Sequence, residues 1–244
     1  MSDAKVTARS RQRVRDLARC THPKQAVLFS VAMGILAAVA GRPGNEALLV
    51  GLAVLTVQLS LGLSNDLCDE RHDQRAETTG KPLAAGRVDR SSASYWMMVL
   101  ILVSVPLAAT SGLVAGAALL ITLPVGWAHN RWLHRTSGSF VGWALTFALY
   151  PAFLAYGGYG GRIHGSAPSW TLTALAAALG LCVHFVTSLG DLVADNKSGA
   201  RTLPLQIALR LGAPRVLFLT VFATGVTVLG LVIAAESVGL HHGR

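Results

Sequence analysis

Charge is scarce in this sequence. Asp, Glu, Lys and Arg make up 14% of its 244 residues, against roughly 25% in an average soluble domain. A soluble domain of this length needs more charge than that to cover its surface, which excludes an ordinary globular protein. Cysteine is scarce too: Cys20, Cys68 and Cys182 are scattered, odd in number and form no CxxC pair. They encode neither a disulfide framework nor a zinc site. The first 24 residues are polar and basic and lack an apolar core, which argues against a signal peptide. The excess lies in apolar residues, 52% by count with 25 glycines, and the mean hydropathy is +0.50. Disordered chains are poor in such residues, so the composition points to a bilayer.

Seven apolar runs carry that excess, at about 25–40, 47–64, 94–109, 113–127, 140–156, 170–189 and 216–235. Crossing the ~30 Å hydrocarbon layer takes about 20 helical residues, so several runs need flanking residues to reach across. Gly41-Arg42-Pro43-Gly44, Thr110-Ser111-Gly112 and residues 157–168 punctuate them as turns. The fold expected is all-α: a polytopic transmembrane helical bundle of about seven spans. With the N-terminus cytosolic, the inside segments 1–24, 65–93, 128–139 and 190–215 hold 18 of the 21 Lys and Arg, leaving Arg42, Arg162 and Arg244 outside. That asymmetry places the N-terminus inside and the C-terminus outside, and it accounts for most of the net charge of +9. No recognition motif accompanies the charge, so nucleic acid is not an expected partner. The organisation expected is a basic cytosolic segment over 1–24, a transmembrane domain over 25–235 and a short tail over 236–244.

The acids are distributed differently. Eight of the 12 fall in two inside segments: Asp66, Asp69, Glu70, Asp73, Glu77 and Asp89 after the second run, and Asp191 and Asp195 after the sixth. If the second helix continues past the membrane surface, Asp66, Asp69 and Asp73 recur at i, i+3 and i+7 and share one face, with Asn65 beside them. Asp191 and Asp195 form an i, i+4 pair, expected on one face of the sixth helix. Aligned carboxylates repel each other and gain from a cation. Hard oxygen donors select Mg²⁺ or Ca²⁺, and Mg²⁺ typically takes one or two carboxylates plus substrate phosphate. The alternative is a set of solvated loop acids balancing the inside positive charge. Two clusters at corresponding helix ends, on one membrane side, favour the metal. Two acidic arms across a bundle can hold metal ions around one diphosphate. That arrangement suits ionisation of an allylic diphosphate, with apolar and aromatic walls sheltering the carbocation.

At these residues the chain resembles the UbiA superfamily of intramembrane prenyltransferases. Asn65–Asp73 is similar to the family's NDxxDxxxD motif, and Thr79–Arg87 to the loop that follows it. Asp191–Asp195 is similar to the second DxxxD motif, and Lys197–Pro204 to its continuation. The resemblance runs from residue 20 to about 235. It implies a helical bundle around a cavity open to lipid. Its Asp motifs would bind a prenyl diphosphate through Mg²⁺, and the prenyl group would pass to a lipophilic, commonly aromatic, acceptor. Carried over by position, Asn65, Asp66, Asp69 and Asp73 would hold one metal site and Asp191 and Asp195 the other, with Asp66, Asp69, Asp191 and Asp195 as the catalytic acids. Arg71, Lys81, Arg87, Arg131, Lys197 and Arg201, with Asn65, are expected on the diphosphate; for each cation the alternative is a positive-inside anchor. The resemblance implies an integral, multi-pass protein of the cytoplasmic (inner) membrane with its active site on the cytosolic side.

The sequence departs from the family pattern in three places. Members usually have nine spans against seven runs here, which leads us to expect a short substrate or a homo-oligomer in which a second copy completes the wall. Val183 and Thr187 stand where many members carry a Tyr and a Lys, and Ser188 where an additional Asp is often found. Two further readings stay open: a membrane terpene cyclase of the same fold, and a non-catalytic relative that binds prenyl lipids.

Other residues have two readings each. His184, inside the sixth run, is a functional group or a neutral imidazole bonded to a neighbouring helix. Gln58, Ser60 and Ser64 line a cavity or join helices, and packing is favoured for the serines. Trp127, Trp132, Trp143 and Trp170 are assigned to the interfacial belt, and Phe147 and Phe185 to a cation-shielding wall. Gly157–Gly161 reads as an outside connector, and His241-His242 is too short to argue a metal site.

Overall fold

The computed structural model describes residues 2–75, 80–158 and 167–237. Glu77, Thr79, Arg162, residues 159–161, the His241-His242 pair and Arg244 lie outside the described residues. Among those described, all regular structure is helical. In chain order the helices are α1 Ser2–Cys20, α2 Pro23–Val39, α3 Gly44–Arg75, α4 Arg90–Ala109, α5 Leu113–Ala128, α6 Ser139–Ala155, α7 Trp170–Leu189, α8 Leu192–Lys197, α9 Leu203–Leu211 and α10 Ala213–Ser237. A π turn over His129–Leu133 continues α5.

Every apolar run is a helix, but not every one is a span by its own length. α3, α4, α5 with its π turn, α7 and α10 are long and apolar enough to cross a membrane. α2 joins them only together with Ser10–Cys20 of α1, across a bend of 58°. α6 has 17 residues. Five or six spanning candidates therefore stand where seven were expected. The bend falls at Thr21-His22, where His22 has a φ of 50° and Pro23 starts α2 with the fixed φ that a first helical turn accepts.

Successive helices pack side by side, α2 on α3, α3 on α4, α5 on α6 and α6 on α7, and α10 returns to pack on α7. Val50, Val54, Val57, Leu119 and Phe153 lie in the main core. Small residues bring α2 and α3 together. Gly51 faces the Ser30 carbonyl and the Cα of Gly34, and Ser30 Oγ donates to the Gly51 carbonyl at 2.8 Å, an arrangement favoured between helices in lipid. At the far end, buried Arg42 donates to the carbonyls of Phe153 (3.1 Å) and Leu154 (2.6 Å), satisfying the last turn of α6. Burial lowers the guanidinium's pKa.

α3 positions the first acid cluster. No Gly or Pro interrupts residues 63–75, so the helix runs 32 residues, or ~48 Å at 1.5 Å per residue. Its last turns thus extend beyond the ~30 Å an apolar span needs. A Cβ on Gly62 would run into the Thr21 carbonyl, so glycine there lets the α1–α2 corner sit directly on α3.

The second acid pair departs from expectation. α7 stops at Leu189 and Gly190 is its C-cap residue. Asp191 then serves as N-cap residue of the separate α8, which carries Asp195. The pair is not on a face of the sixth span. Glycine is a poor helix former, and the break redirects both acids.

Candidate active site

A cavity of about 1060 Å³ opens at the end of the bundle that carries the acids. α3 presents Asn65, Asp69 and Asp73 to it, and the α7–α8 break presents Asp191 and Asp195. The two acidic arms therefore face one space.

Asp66 is placed differently. It is only 3% exposed and absent from the cavity lining, lying instead beneath the α1–α2 corner. Its Oδ1 accepts from Lys81 Nζ at 2.7 Å and stands 2.9 Å from His22 Nε2. Lys81 Nζ also approaches Asp73 Oδ2 at 3.9 Å. Burial alone would lower the ammonium's pKa, yet Asp66, Asp73 and Asp69 together hold it above the ordinary lysine value. The loop that delivers Lys81 turns at Gly80 and Gly86, whose φ values of 87° and 66° are accessible chiefly to glycine.

On the second arm, burial raises the pKa of Asp195, and the nearby Asp191 adds to the rise. Thr202 opposes it by donating to Asp195 Oδ2 at 3.3 Å. Across the mouth, His134 Nε2 lies 3.0 Å from Asp69 Oδ1.

The expected cations separate into two groups. Lys81 and Lys197 line the cavity. Arg71, Arg131 and Arg201 are exposed and lie outside the lining. Arg87 also lies outside it, pairing with buried Asp16 of α1 at 3.4 Å. The sequence reading missed Arg75 and Arg135, which line the cavity; Arg135 also donates to the Ser198 carbonyl at 3.1 Å. Of the histidines in the lining it weighed His184 alone. Five of the chain's eight, His22, His72, His129, His134 and His184, line this one space. The concentration of His129 and His134 just past an apolar run was the available signal.

Deeper in, the lining becomes aromatic. Phe29, Trp143 and Phe147 form its wall, with Phe29 edge-on to Phe147 at 5.5 Å between centroids and Tyr150 behind Phe147 at 5.5 Å. Trp143 is therefore a cavity residue and not part of an interfacial belt. It lies within α6, whose neighbours α5 and α7 enclose that face. Trp127, Trp132 and Trp170 are exposed near helix ends. Phe185 lies outside the lining and stands beside the His184 ring at 6.2 Å. Gln58 has both roles considered for it: it lines the cavity and donates to the Tyr150 hydroxyl at 3.0 Å. His184 likewise lines the cavity and bonds the neighbouring helix through Ser139 Oγ at 2.9 Å. Ser60 donates to its own helix, to the Val57 carbonyl at 2.7 Å.

One continuous cavity thus joins a mouth of carboxylates and cations to an aromatic interior. Its chemistry suits an amphiphile with a multiply charged head and an unsaturated tail. Among the described residues, no three His, Cys, Asp or Glu are grouped closely enough to hold a metal by themselves. The mouth offers hard oxygen donors on two separate arms, the donor set that suits Mg²⁺ shared with substrate oxygens.

The family model of the UbiA prenyltransferase family matches residues 27–241. Comparison with curated proteins gives no significant match. Among solved structures, the chain is similar to a UbiA homologue from Archaeoglobus fulgidus bound to DMAPP and Mg²⁺. The TM-score is 0.69 at 19% identity, over 94% of this chain and 79% of that one. The Archaeoglobus fulgidus homologue bound to GPP and Mg²⁺ gives 0.69 at 18%, over 91% and 78%. A structure concerned with digeranylgeranylglyceryl phosphate synthase in membranes gives 0.62 at 16%, over 90% and 76%. At these identities the likeness is one of fold.

Proposed function

Because the chain belongs to the UbiA prenyltransferase family, we propose that it ionises an allylic prenyl diphosphate at the acid mouth and transfers the prenyl group to a lipophilic, aromatic acceptor. The observation that carries this reading is the continuity of one cavity from Asn65, Asp69, Asp73, Asp191 and Asp195 to Phe29, Trp143 and Phe147. The similar Archaeoglobus fulgidus structures, bound to DMAPP or GPP with Mg²⁺, support it.

In this reading Asn65, Asp69 and Asp73 on one arm and Asp191 and Asp195 on the other hold Mg²⁺. Asp66 belongs to the first arm by fixing Lys81 against it. Bound there, Mg²⁺ offsets the charge that develops on the departing diphosphate. Lys81, Lys197, Arg75 and Arg135 neutralise further oxygens with charge-assisted hydrogen bonds. The ring faces of Phe29, Trp143 and Phe147 attract the allylic cation through their quadrupoles and keep water from it. The basic segments around the mouth support a cytosolic placement of that end, in keeping with a protein of the inner membrane.

The test uses the full chain in lipid nanodiscs with geranyl diphosphate. We expect diphosphate release that requires Mg²⁺, stops with EDTA and falls at least ~100-fold in Asp69→Asn and Asp191→Asn, the scale on which single electrostatic contributors act. Release by the wild type that ignores Mg²⁺, or survives both substitutions, overturns the reading.

A further inference from the structure

The cavity contains a feature that diphosphate binding does not use. A chain of rings leads from the carboxylate mouth to the aromatic wall. His134 stands against Asp69. His129 follows at 6.3 Å from His134, edge-on to both Trp143 at 6.4 Å and His184 at 6.3 Å. Trp143 then leads to Phe147 at 6.5 Å. His129 therefore marks the boundary at which polar lining gives way to aromatic lining.

The backbone is arranged to put it there. Five residues of α-helix rotate a side chain by about 140° from its starting direction, which would separate His129 from His134. The π turn closes a bond from His134 N–H to the His129 carbonyl at 2.9 Å, and both rings line the cavity. Such insertions recur at functional sites. On the other side, Gly142 of α6 leaves room for the ring: a Cβ there would lie 2.6 Å from His129 Cβ and 2.8 Å from its Nδ1.

The state of the ring follows from its partners. His129 Nδ1 is buried against α6 with no hydrogen-bond partner. Orphaned buried N–H groups are rarer than orphaned acceptors, so the neutral ring carries its proton on Nε2. That edge is the one left to the cavity. His184 differs, since Ser139 Oγ and Ser188 Oγ stand at its two nitrogens, at 2.9 and 3.4 Å. His129 thus turns its Nε2 edge to the cavity at the inner boundary of the mouth.

We infer that His129 forms the acceptor's recognition subsite, its Nε2–H donating to an oxygen carried on the acceptor's aromatic ring. The inference rests on the transferase reading above and narrows it: the acceptor is an oxygen-substituted aromatic of the phenol or quinol class, with its ring against Trp143. Pockets of this type are mostly apolar and fix orientation through a few polar groups. The position suits the reaction, because an oxygen held at the boundary keeps the ring beside the place where head and tail of the prenyl diphosphate meet.

The test is saturation binding to the full chain in nanodiscs, with Mg²⁺ and the non-ionising analogue geranyl thiodiphosphate, corrected with protein-free nanodiscs. The probes are 1-naphthol and naphthalene, alike in ring and different by one oxygen. We expect the wild type to prefer 1-naphthol by up to about tenfold, the span of one net hydrogen bond. His129→Phe abolishes the preference while affinities for naphthalene and the thiodiphosphate stay within about twofold, which also shows that the variant is folded. His129→Asn, which keeps a donor, restores part of the preference. A wild type without preference, or a preference that survives in His129→Phe, overturns the inference. Failure of the transferase reading looks different: the wild type then does not bind the thiodiphosphate.

Discussion

Lys81 Nζ lies 2.7 Å from Asp66 Oδ1, and the same ammonium reaches toward Asp73 at 3.9 Å. One lysine from a loop thereby bridges the two ends of the first acid cluster. Lys81→Met leaves the buried Asp66 carboxylate with His22 and the Cys20 thiol beside it and no lysine, at an expected cost of about 1–3 kcal/mol. Asp66→Asn/Lys81→Met should recover most of that loss. The pH dependence has a definite sign. A lysine whose pKa is raised in the fold contributes fully below its ordinary 10.5 and loses the contribution as pH climbs through the raised value. Thermal unfolding in nanodiscs should therefore separate wild type from Lys81→Met equally at pH 7 and pH 9. Curves that coincide at pH 9 would refute the pairing.

Asp195 has the opposite effect on stability. Burial and the nearby Asp191 raise its folded pKa above the ordinary 3.8, so the native state holds that proton more tightly than the unfolded chain does. By linkage, stability falls as pH rises from the ordinary value through the raised one, and the penalty is complete above it. Asp195→Asn cannot ionise and should melt above the wild type at pH 7, with no advantage at pH 3.5. The same substitution should reduce diphosphate release, the usual exchange between stability and activity at a strained site. Equal melting temperatures at pH 7 would count against it.

The first acid cluster was legible because its determinants are local. Absence of Gly and Pro after Leu63 keeps α3 continuous, and the 3.6-residue period then sets where Asp66, Asp69 and Asp73 point. What covers Asp66 was not legible. His22 is 44 residues away and Lys81 is 15, so neither contact follows from helical spacing. The second cluster was legible as chemistry but misplaced as geometry, since Gly190 ends α7 before the spacing rule can apply. His129 and His134 were hidden for another reason. An α-helical reading sends them in different directions, and only the π turn brings both to the cavity.

The division among the basic residues gives a further expectation. Lys197 lines the cavity, whereas Arg87 turns to Asp16 with 43% of its side chain exposed. Lys197→Ala should weaken geranyl thiodiphosphate binding at least ~5-fold, since charge-assisted contacts to phosphate are among the stronger ones. Arg87→Ala should change that affinity by less than about twofold, and its cost falls on stability instead, about 1–3 kcal/mol, because it takes a partner from buried Asp16. Calorimetric titration distinguishes them. A larger loss of affinity in Arg87→Ala than in Lys197→Ala would return Arg87 to the mouth.

Gly142 offers the sharpest steric test of how α6 meets the π turn. An added methyl would stand 2.6 Å from His129 Cβ and 2.8 Å from both Cγ and Nδ1, too close for either side to keep its place. Gly142→Ala must displace the imidazole or part the two helices, and overpacking of this kind typically costs about 1–3 kcal/mol. If the His129 side chain is the obstacle, removing it back to Cα makes room, whereas an alanine keeps the 2.6 Å Cβ contact. His129→Gly/Gly142→Ala should then be more stable than the two single losses sum to, with a coupling of about 0.5–3 kcal/mol. If instead the α6 backbone carries the strain, the two losses add to within about 0.5 kcal/mol, and His129 is not what requires glycine at 142. A double-mutant cycle on thermal unfolding, with Gly142→Ser as a second small side chain, decides between them.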